Sequence, residues 1–263
     1  MRPILHRVRH LLAGVCLLVL LLNCPASAAA ERPELRVGYV EFPPYEYRDA
    51  NGHAAGTFVD MTRQVAEEAG FDLRFIYVPV SRAYLYLRQG EIDLWPGLTD
   101  IPALSDDVLE SHTHPLAVQL DAWSTEANAP IQQFEDFYDK SLILIAGYTY
   151  GGLDGYLESH PRIRVTRAPD HRAAVDMLTM HRGDYLLDYQ PPVEDILRRE
   201  PGVHLQYSRI RSRTGAWLFS RANPEAEAIR RAFDDAWLRL VSRGEAEVLP
   251  ERYSHKVPGF PLP

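Results

Sequence analysis

Between Leu35 and Trp95 the chain alternates short apolar runs of period two with runs of helical period, and each helical run stops at a glycine. Residues 34–39 read as a strand. Phe58, Met61, Val65 and Ala69 then recur at helical spacing up to Gly70, and Phe71, Leu73, Phe75 and Tyr77 alternate with polar neighbours. A short helical run over 81–89 closes at Gly90, and 92–95 is apolar again. Alternation buries one face of a pleated strand, whereas i, i+3, i+4 spacing buries one stripe of a helix, so the expected order is β-α-β-α-β. Parallel strands joined by helical crossovers cover both faces of a sheet, which predicts an α/β chain.

The middle of the chain repeats this grammar. An apolar strand over 141–146 runs into the turn Gly147-Tyr148-Thr149-Tyr150-Gly151-Gly152. Asp170 can cap a helix reaching about His181, stopped by Gly183, and Tyr185-Leu186-Leu187 forms a short strand that delivers Asp188. A strand over 216–219 precedes a last helix, with Asn223 as its cap, Pro224 at its first position, and Ala226, Ile229, Phe233, Ala236, Trp237 and Leu240 as its buried stripe. Two α/β units without a flexible tether are expected to be joined by extended crossing segments, here 117–125 and 211–222.

The amino terminus reads differently. Arg2, Arg7 and Arg9 precede an apolar run from Leu11 to Leu22 and the exit Pro25-Ala26-Ser27-Ala28. Twelve residues are too few for a permanent span of roughly 20, so residues 1–28 are expected to be a signal peptide cleaved near Ala28. Asn23 stands where a lipoprotein signal wants a small residue, which argues against a lipid anchor at Cys24. Both cysteines, Cys16 and Cys24, leave with that segment, so the expected product has no disulfide and no thiol chemistry. Three arginines leave too, and no acid, so the net charge of −8 over 263 residues becomes −11 over 235. An acidic chain of this kind is a poor nucleic-acid binder. There is no G-x-S-x-G, H-E-x-x-H or P-loop pattern. The two imidazoles of His112 and His114 lack an evident third metal ligand, and no metal or other cofactor is expected.

Six segments in order resemble the family 3 periplasmic solute-binding proteins of the amino-acid ABC-transporter type. They are V-G-Y-x-x-F-P-P-Y-E-Y-R-D-A-N-G at 37–52, G-T-F-V-D-M at 56–61, S-R-A-Y-L-Y-L-R-Q-G-E-I-D at 81–93, G-Y-T-Y-G-G at 147–152, R-G-D-Y-L-L-D-Y at 182–189, and W-L-F-S-R-A-N-P-E at 217–225. The resemblance implies a type II periplasmic-binding-protein clamp, two doubly wound α/β lobes joined by two crossing segments. Lobe 1 would comprise 29–124 and 213–263, and lobe 2 would comprise 125–212. It further implies a periplasmic monomer that holds a small-molecule ligand in the interlobe cleft, closes by a hinge, and delivers the ligand to an ABC permease or a sensor's periplasmic domain. The alternatives are a periplasmic lyase on the same scaffold, like the cyclohexadienyl dehydratases, and a purely sensory module.

The expected ligand contacts are Phe42, Tyr45, Arg82, Trp95, Thr99, Tyr148, Thr149, Tyr150 and Asp188. Phe42 and Tyr45 flank Pro43-Pro44 after the first strand and would stack on a ligand or pack the loop. Arg82 opens a helix, where it could hold a carboxylate bidentately or lie on the surface. Trp95 and Thr99 follow a strand end, the tryptophan as wall or core and the threonine as hydroxyl donor. Residues 147–152 make a strand-to-helix turn whose N–H groups suit an anion, which the resemblance extends to the side chains of Tyr148, Thr149 and Tyr150. Asp188 at the end of an apolar strand is costly to desolvate unpaired; the family uses an acid near here for a ligand ammonium, and a helix cap is the other reading. One departure stands out. The family's T-x-x-x-R arginine, which takes the α-carboxylate, has no counterpart in the stretch from Thr99 to Asp107.

Overall fold

A computed structural model describes residues 32–246; the expected signal peptide and the last residues of the expected lobe 1 lie outside that range. The first half is built as expected. Strands β1 (Glu34–Tyr39), β4 (Asp72–Tyr77) and β5 (Leu94–Leu98) are parallel, with β1 between the other two. Helices α1 (Thr57–Ala69) and α2 (Val80–Gln89) form the crossovers, and each ends on a left-handed glycine, Gly70 or Gly90. A hairpin of β2 (Tyr47–Arg48) and β3 (Ala54–Ala55) precedes α1.

The second half repeats this arrangement. Strands β8 (Lys140–Ile145), β9 (Ile163–Ala168) and β10 (Tyr185–Tyr189) are parallel with β8 central. Helix α3 (Leu153–Ser159) connects β8 to β9, and α4 (His171–Thr179) connects β9 to β10. Asp170 caps α4 as expected, its carboxylate accepting the Ala173 N–H at 2.7 Å. Helix α5 (Gln190–Arg199) follows β10 directly. In both halves the strand order is second, first, third in chain order.

Two antiparallel strands join the halves. Strand β7 (Leu116–Ser124) and the 15-residue β11 (Gln206–Ser220) pair with each other from Ser124–Gln206 to Leu116–Gly215. At its far end β11 pairs with β5, and β7 pairs with β10, so a single sheet runs through both halves; a short strand β6 (Val108–Glu110) also pairs with β11. The crossing segments read from the sequence are these strands, except that β11 begins five residues earlier than residue 211. The ladder shifts register between Arg209 and Arg211. Asp121 opposes Arg209 while Leu120 opposes Arg211 and Val118 opposes Arg213. Opposed residues share a face and neighbours along a strand do not, so the bulge sends Arg209 to one side of the sheet and Arg211 and Arg213 to the other.

The last helix, α6 (Ala226–Ser242), starts two residues after Pro224. Asn223 is drawn away from the cap position by Asp93, to which its amide donates at 3.0 Å, while its own oxygen accepts the Glu225 N–H. The expected stripe from Ala226 to Leu240 is buried throughout. It covers Trp217, whose indole donates to Thr62 on α1 at 3.0 Å and whose ring meets Phe58, Phe233 and Trp237 within 6.0 Å. Asp93 of the G-E-I-D segment is structural: its carboxylate accepts from the backbone and guanidinium of Arg36, locking β1 beside β5. No helix among the described residues is long and apolar enough to cross a membrane.

Candidate functional site

Parallel strands end on one edge in each half, and the loops leaving those ends face each other across β7 and β11. Open α/β sheets bind ligands at such carboxyl ends. Here they line a narrow cleft of about 480 Å³, the open space at its mouth included. The first half contributes Val40, Phe42 and Glu46 after β1, Val80 and Tyr84 on α2, and Trp95 to Leu98 on β5. The second contributes Tyr148, Thr149 and Tyr150 after β8 and Tyr189 at the end of β10, and Arg213 on β11 completes the lining.

Of the nine residues read from the sequence, the structure therefore brings five together on the cavity wall: Phe42, Trp95, Tyr148, Thr149 and Tyr150. The other four sit elsewhere for identifiable reasons. Tyr45 stacks on Phe42 with ring centres 6.0 Å apart, but it lines a groove on the opposite side of the crossing strands together with Gln119 and Arg209. Its main chain matters more than its ring. The carbonyls of Pro44 and Tyr45 accept the first N–H groups of α1, from Thr57, Phe58 and Val59, in place of a side-chain cap. Gly56 makes this approach possible, because a Cβ there would lie 2.3 Å from the Tyr45 oxygen.

Arg82 is exposed on α2, its guanidinium over Tyr86 at 5.8 Å, on a face of the helix turned from the cavity. Thr99 is buried behind the wall, where its hydroxyl meets that of Thr214 at 2.8 Å and ties the end of β5 to β11. Asp188 is fully buried and already partnered. One oxygen meets His171 Nδ1 at 2.8 Å and the other accepts the Tyr189 N–H at 2.7 Å. His171 Nε2 in turn faces the Tyr148 hydroxyl at 3.2 Å, and that hydroxyl also donates to the Glu41 carbonyl in the other half. Asp188 thus reaches the cavity only through His171 and Tyr148.

Several cavity groups were not in the sequence-derived set: Glu46, Tyr84, Tyr189 and Arg213. Burial pushes the Glu46 carboxyl well above the carboxylate range, the Val40 N–H and the Trp95 indole offsetting this only in part. Burial raises Tyr84 to about 12 and lifts Tyr148, Tyr150 and Tyr189 above their ordinary values, so at neutral pH the wall offers neutral phenols. Tyr150 faces its own strand, accepting the Ile145 N–H at 2.7 Å and stacking on Tyr189 at 5.9 Å. Arg213 is buried, and its guanidinium donates to the carbonyls of Thr99 and Asp100. The sequence signal for it was present in R-I-R-S-R, three basic residues at period two on a crossing segment.

The turn after β8 is shaped to admit these guanidiniums. Tyr150, Gly151 and Gly152 take φ of 50°, 63° and 85° in succession. A Cβ on Gly151 would lie 2.3 Å from Arg213 Nη1 and 3.0 Å from Arg211 Nη2. Gly151→Ala is therefore expected to lower stability by about 1–2 kcal/mol from the left-handed backbone alone, with a further loss from displacing the guanidinium, measurable by urea unfolding. An unchanged midpoint would contradict the packing described. No group of three or more metal-ligating side chains occurs among the described residues.

Comparison with known proteins agrees with this architecture. The sequence model of the bacterial extracellular solute-binding proteins, family 3, matches residues 35–256. No match is found among curated proteins. Among solved structures, a histidine kinase sensor domain with similarity to periplasmic binding proteins superposes at TM-score 0.70 and 21% identity, covering 82% of this chain and 92% of that one. An ancestral arginine-binding protein bound to arginine gives 0.69 at 19%, with 81% and 95% covered. An ABC uptake transporter substrate-binding protein from Streptococcus pneumoniae with bound histidine gives 0.68 at 18%, with 81% and 88% covered. Identities this low show the shared fold alone.

Proposed function

The chain belongs to the bacterial extracellular solute-binding proteins, family 3, and from that premise we propose that it captures a small polar solute, amino-acid-like or a related organic ion, between its two α/β halves. The halves would be lobe 1 (29–124 with 213–263) and lobe 2 (125–212), closing about β7 and β11 as a hinge. The protein would work as a monomer in the periplasm after removal of residues 1–28, and hand its ligand to an ABC permease or report it to a sensor. The observation that carries this reading is the origin of the cavity wall: Phe42 and Trp95 come from one half, Tyr148 and Tyr189 from the other, with Arg213 on the crossing strand between them. A solute touching both sides binds the closed form better than the open one, and that difference drives closure.

The family and the solved relatives named above are binding proteins, which supports a receptor over a lyase. The sensor-domain relative supports signalling as the second destination. The test is a thermal-shift screen of amino acids, polyamines, sugars and organic acids, followed by small-angle scattering with any hit. A solute at a hundred times its dissociation constant is expected to add about 2.7 kcal/mol of stability and to reduce the radius of gyration. Stabilisation without contraction would remove the hinge from the proposal, and silence across every solute class would remove solute capture itself.

A further inference from the structure

Arg213 brings positive charge from the crossing strand to the cavity wall. Arg211 and Arg213 project to the same side of β11 and meet at Gly151. Neither forms an ion pair among the described residues, and the acids that act on them from farther away are Asp100 and Glu110. Arg213 spends Nη2 on two backbone carbonyls, while Nε and Nη2 of Arg211 are buried without a hydrogen-bond partner among the described residues. Burial and the neighbouring Arg213 pull the Arg211 pKa below its ordinary value, as expected of two cations held together in a dry place. Buried guanidinium donors left unmade are expensive, and an oxyanion between them would satisfy both.

The wall around them is aromatic. Tyr84 and Trp95 face each other at 5.6 Å, Phe42 meets Tyr189 edge-on at 5.5 Å, and the indole N–H of Trp95 lies beside the Glu46 carboxyl. Among the described residues the one acid on the wall is Glu46, whose Oε2 accepts the Val40 N–H and whose carboxyl burial pushes well above the carboxylate range. Asp188 is sealed behind His171. A ligand ammonium would enter beside two cations, and the one acid it would meet on the described wall is Glu46, whose charged form burial disfavours.

We propose that the solute is an aromatic carboxylate lacking an ammonium group, its carboxylate held by Arg211 and Arg213 and its ring placed among Phe42, Tyr84, Trp95 and Tyr189. This rests on the solute-capture reading above and narrows it. It also accounts for the missing T-x-x-x-R arginine, since the anion is taken from β11 instead.

The test is isothermal titration of the purified protein with three matched probes: 3-phenylpropanoate, L-phenylalanine and 2-phenylethylamine. The carboxylate is expected to bind at least tenfold more tightly than the amino acid, and the amine not at all. Arg213→Gln and Arg211→Gln are each expected to weaken 3-phenylpropanoate binding tenfold to a hundredfold, the loss of a charge-assisted hydrogen bond. Arg213→Gln also frees two backbone carbonyls and could disturb folding. Arg211→Gln, which breaks no hydrogen bond made by Nε or Nη2, keeps the proposal falsifiable. Tighter binding of L-phenylalanine or the amine, unchanged affinity in Arg211→Gln, or no binding of 3-phenylpropanoate would each overturn it. If the broad solute screen still yields a ligand of another class, solute capture stands and only the carboxylate assignment falls; if it yields none, both fall.

Discussion

Replacing Asp121 by asparagine is expected to raise stability by about 2–4 kcal/mol at pH 8, with the gain shrinking steadily below pH 7 and nearly gone by about pH 4. Asp121 is fully buried on β7, and among the described residues its carboxylate forms no ion pair and has only the Gln119 side chain near enough to relieve it weakly. Burial pushes its pKa up to about 7, against the opposing pull of Arg209 on β11 and the reinforcing charge of Glu194 on α5. Arg198 on α5 and Gln119 on β7 line the same groove beside Glu194 and Arg209. In the unfolded chain the carboxyl ionises near pH 3.9, so between about 4 and 7 the unfolded state releases a proton that the folded state retains. Stability must therefore fall as pH rises across that window and level off above it. Three units at about 1.4 kcal/mol each set the upper end of the range, and relaxation around the ion reduces it. Asparagine keeps the shape and has no charge to desolvate. Urea unfolding of both proteins from pH 4 to 9 reads the difference directly; parallel curves would mean that Asp121 finds a partner in solution.

Both the fold and the candidate site were partly legible in the sequence, to different depths. The α/β class followed from periodicity because each strand and helix buries a local face, and Gly70, Gly90 and Asp170 marked ends through backbone requirements that are equally local. The cavity aromatics Phe42, Trp95 and Tyr148 were reached through position in motifs that flank strand ends. What escaped depends on pairing between distant segments. Arg213 lines the cavity, with Arg211 on the same side of the sheet, because the ladder slips by one residue after Arg209, and nothing in R-I-R-S-R announces a bulge. Asp188 was expected to meet a ligand because an acid at the end of Leu186-Leu187 needs a partner. The need was real, but its partner is His171, seventeen residues away in sequence and on another element. Arg82 had two readings, cleft or surface, because a helix start has two sides, and in the structure it is exposed.

Replacing Asp188 by asparagine is expected to cost about 3 kcal/mol below pH 6, with the deficit narrowing as pH rises toward 8 and beyond. Removing one member of a buried pair typically costs roughly 3–5 kcal/mol, and His171 moderates this because it can shed its proton once the carboxylate is gone. Burial alone would lower the His171 pKa, but the charge and hydrogen bond of Asp188 more than reverse that and hold it above its ordinary value. A histidine with a raised folded pKa contributes stability in full below its unfolded value of about 6.5 and loses it as pH climbs through the folded one. The wild type should lose this contribution on the alkaline side and the variant should not, so the two curves converge. The same substitution separates anchor from support. His171 fixes the Tyr148 hydroxyl, which spans to the Glu41 carbonyl in the opposite half. If Asp188 acts through that relay, the asparagine variant weakens binding of any cavity ligand, and His171→Gln reproduces the loss. An ammonium anchor instead predicts a loss confined to ligands that carry an ammonium, with His171→Gln nearly silent. Titrating both variants with a carboxylate and with its amino-acid counterpart decides between the two roles.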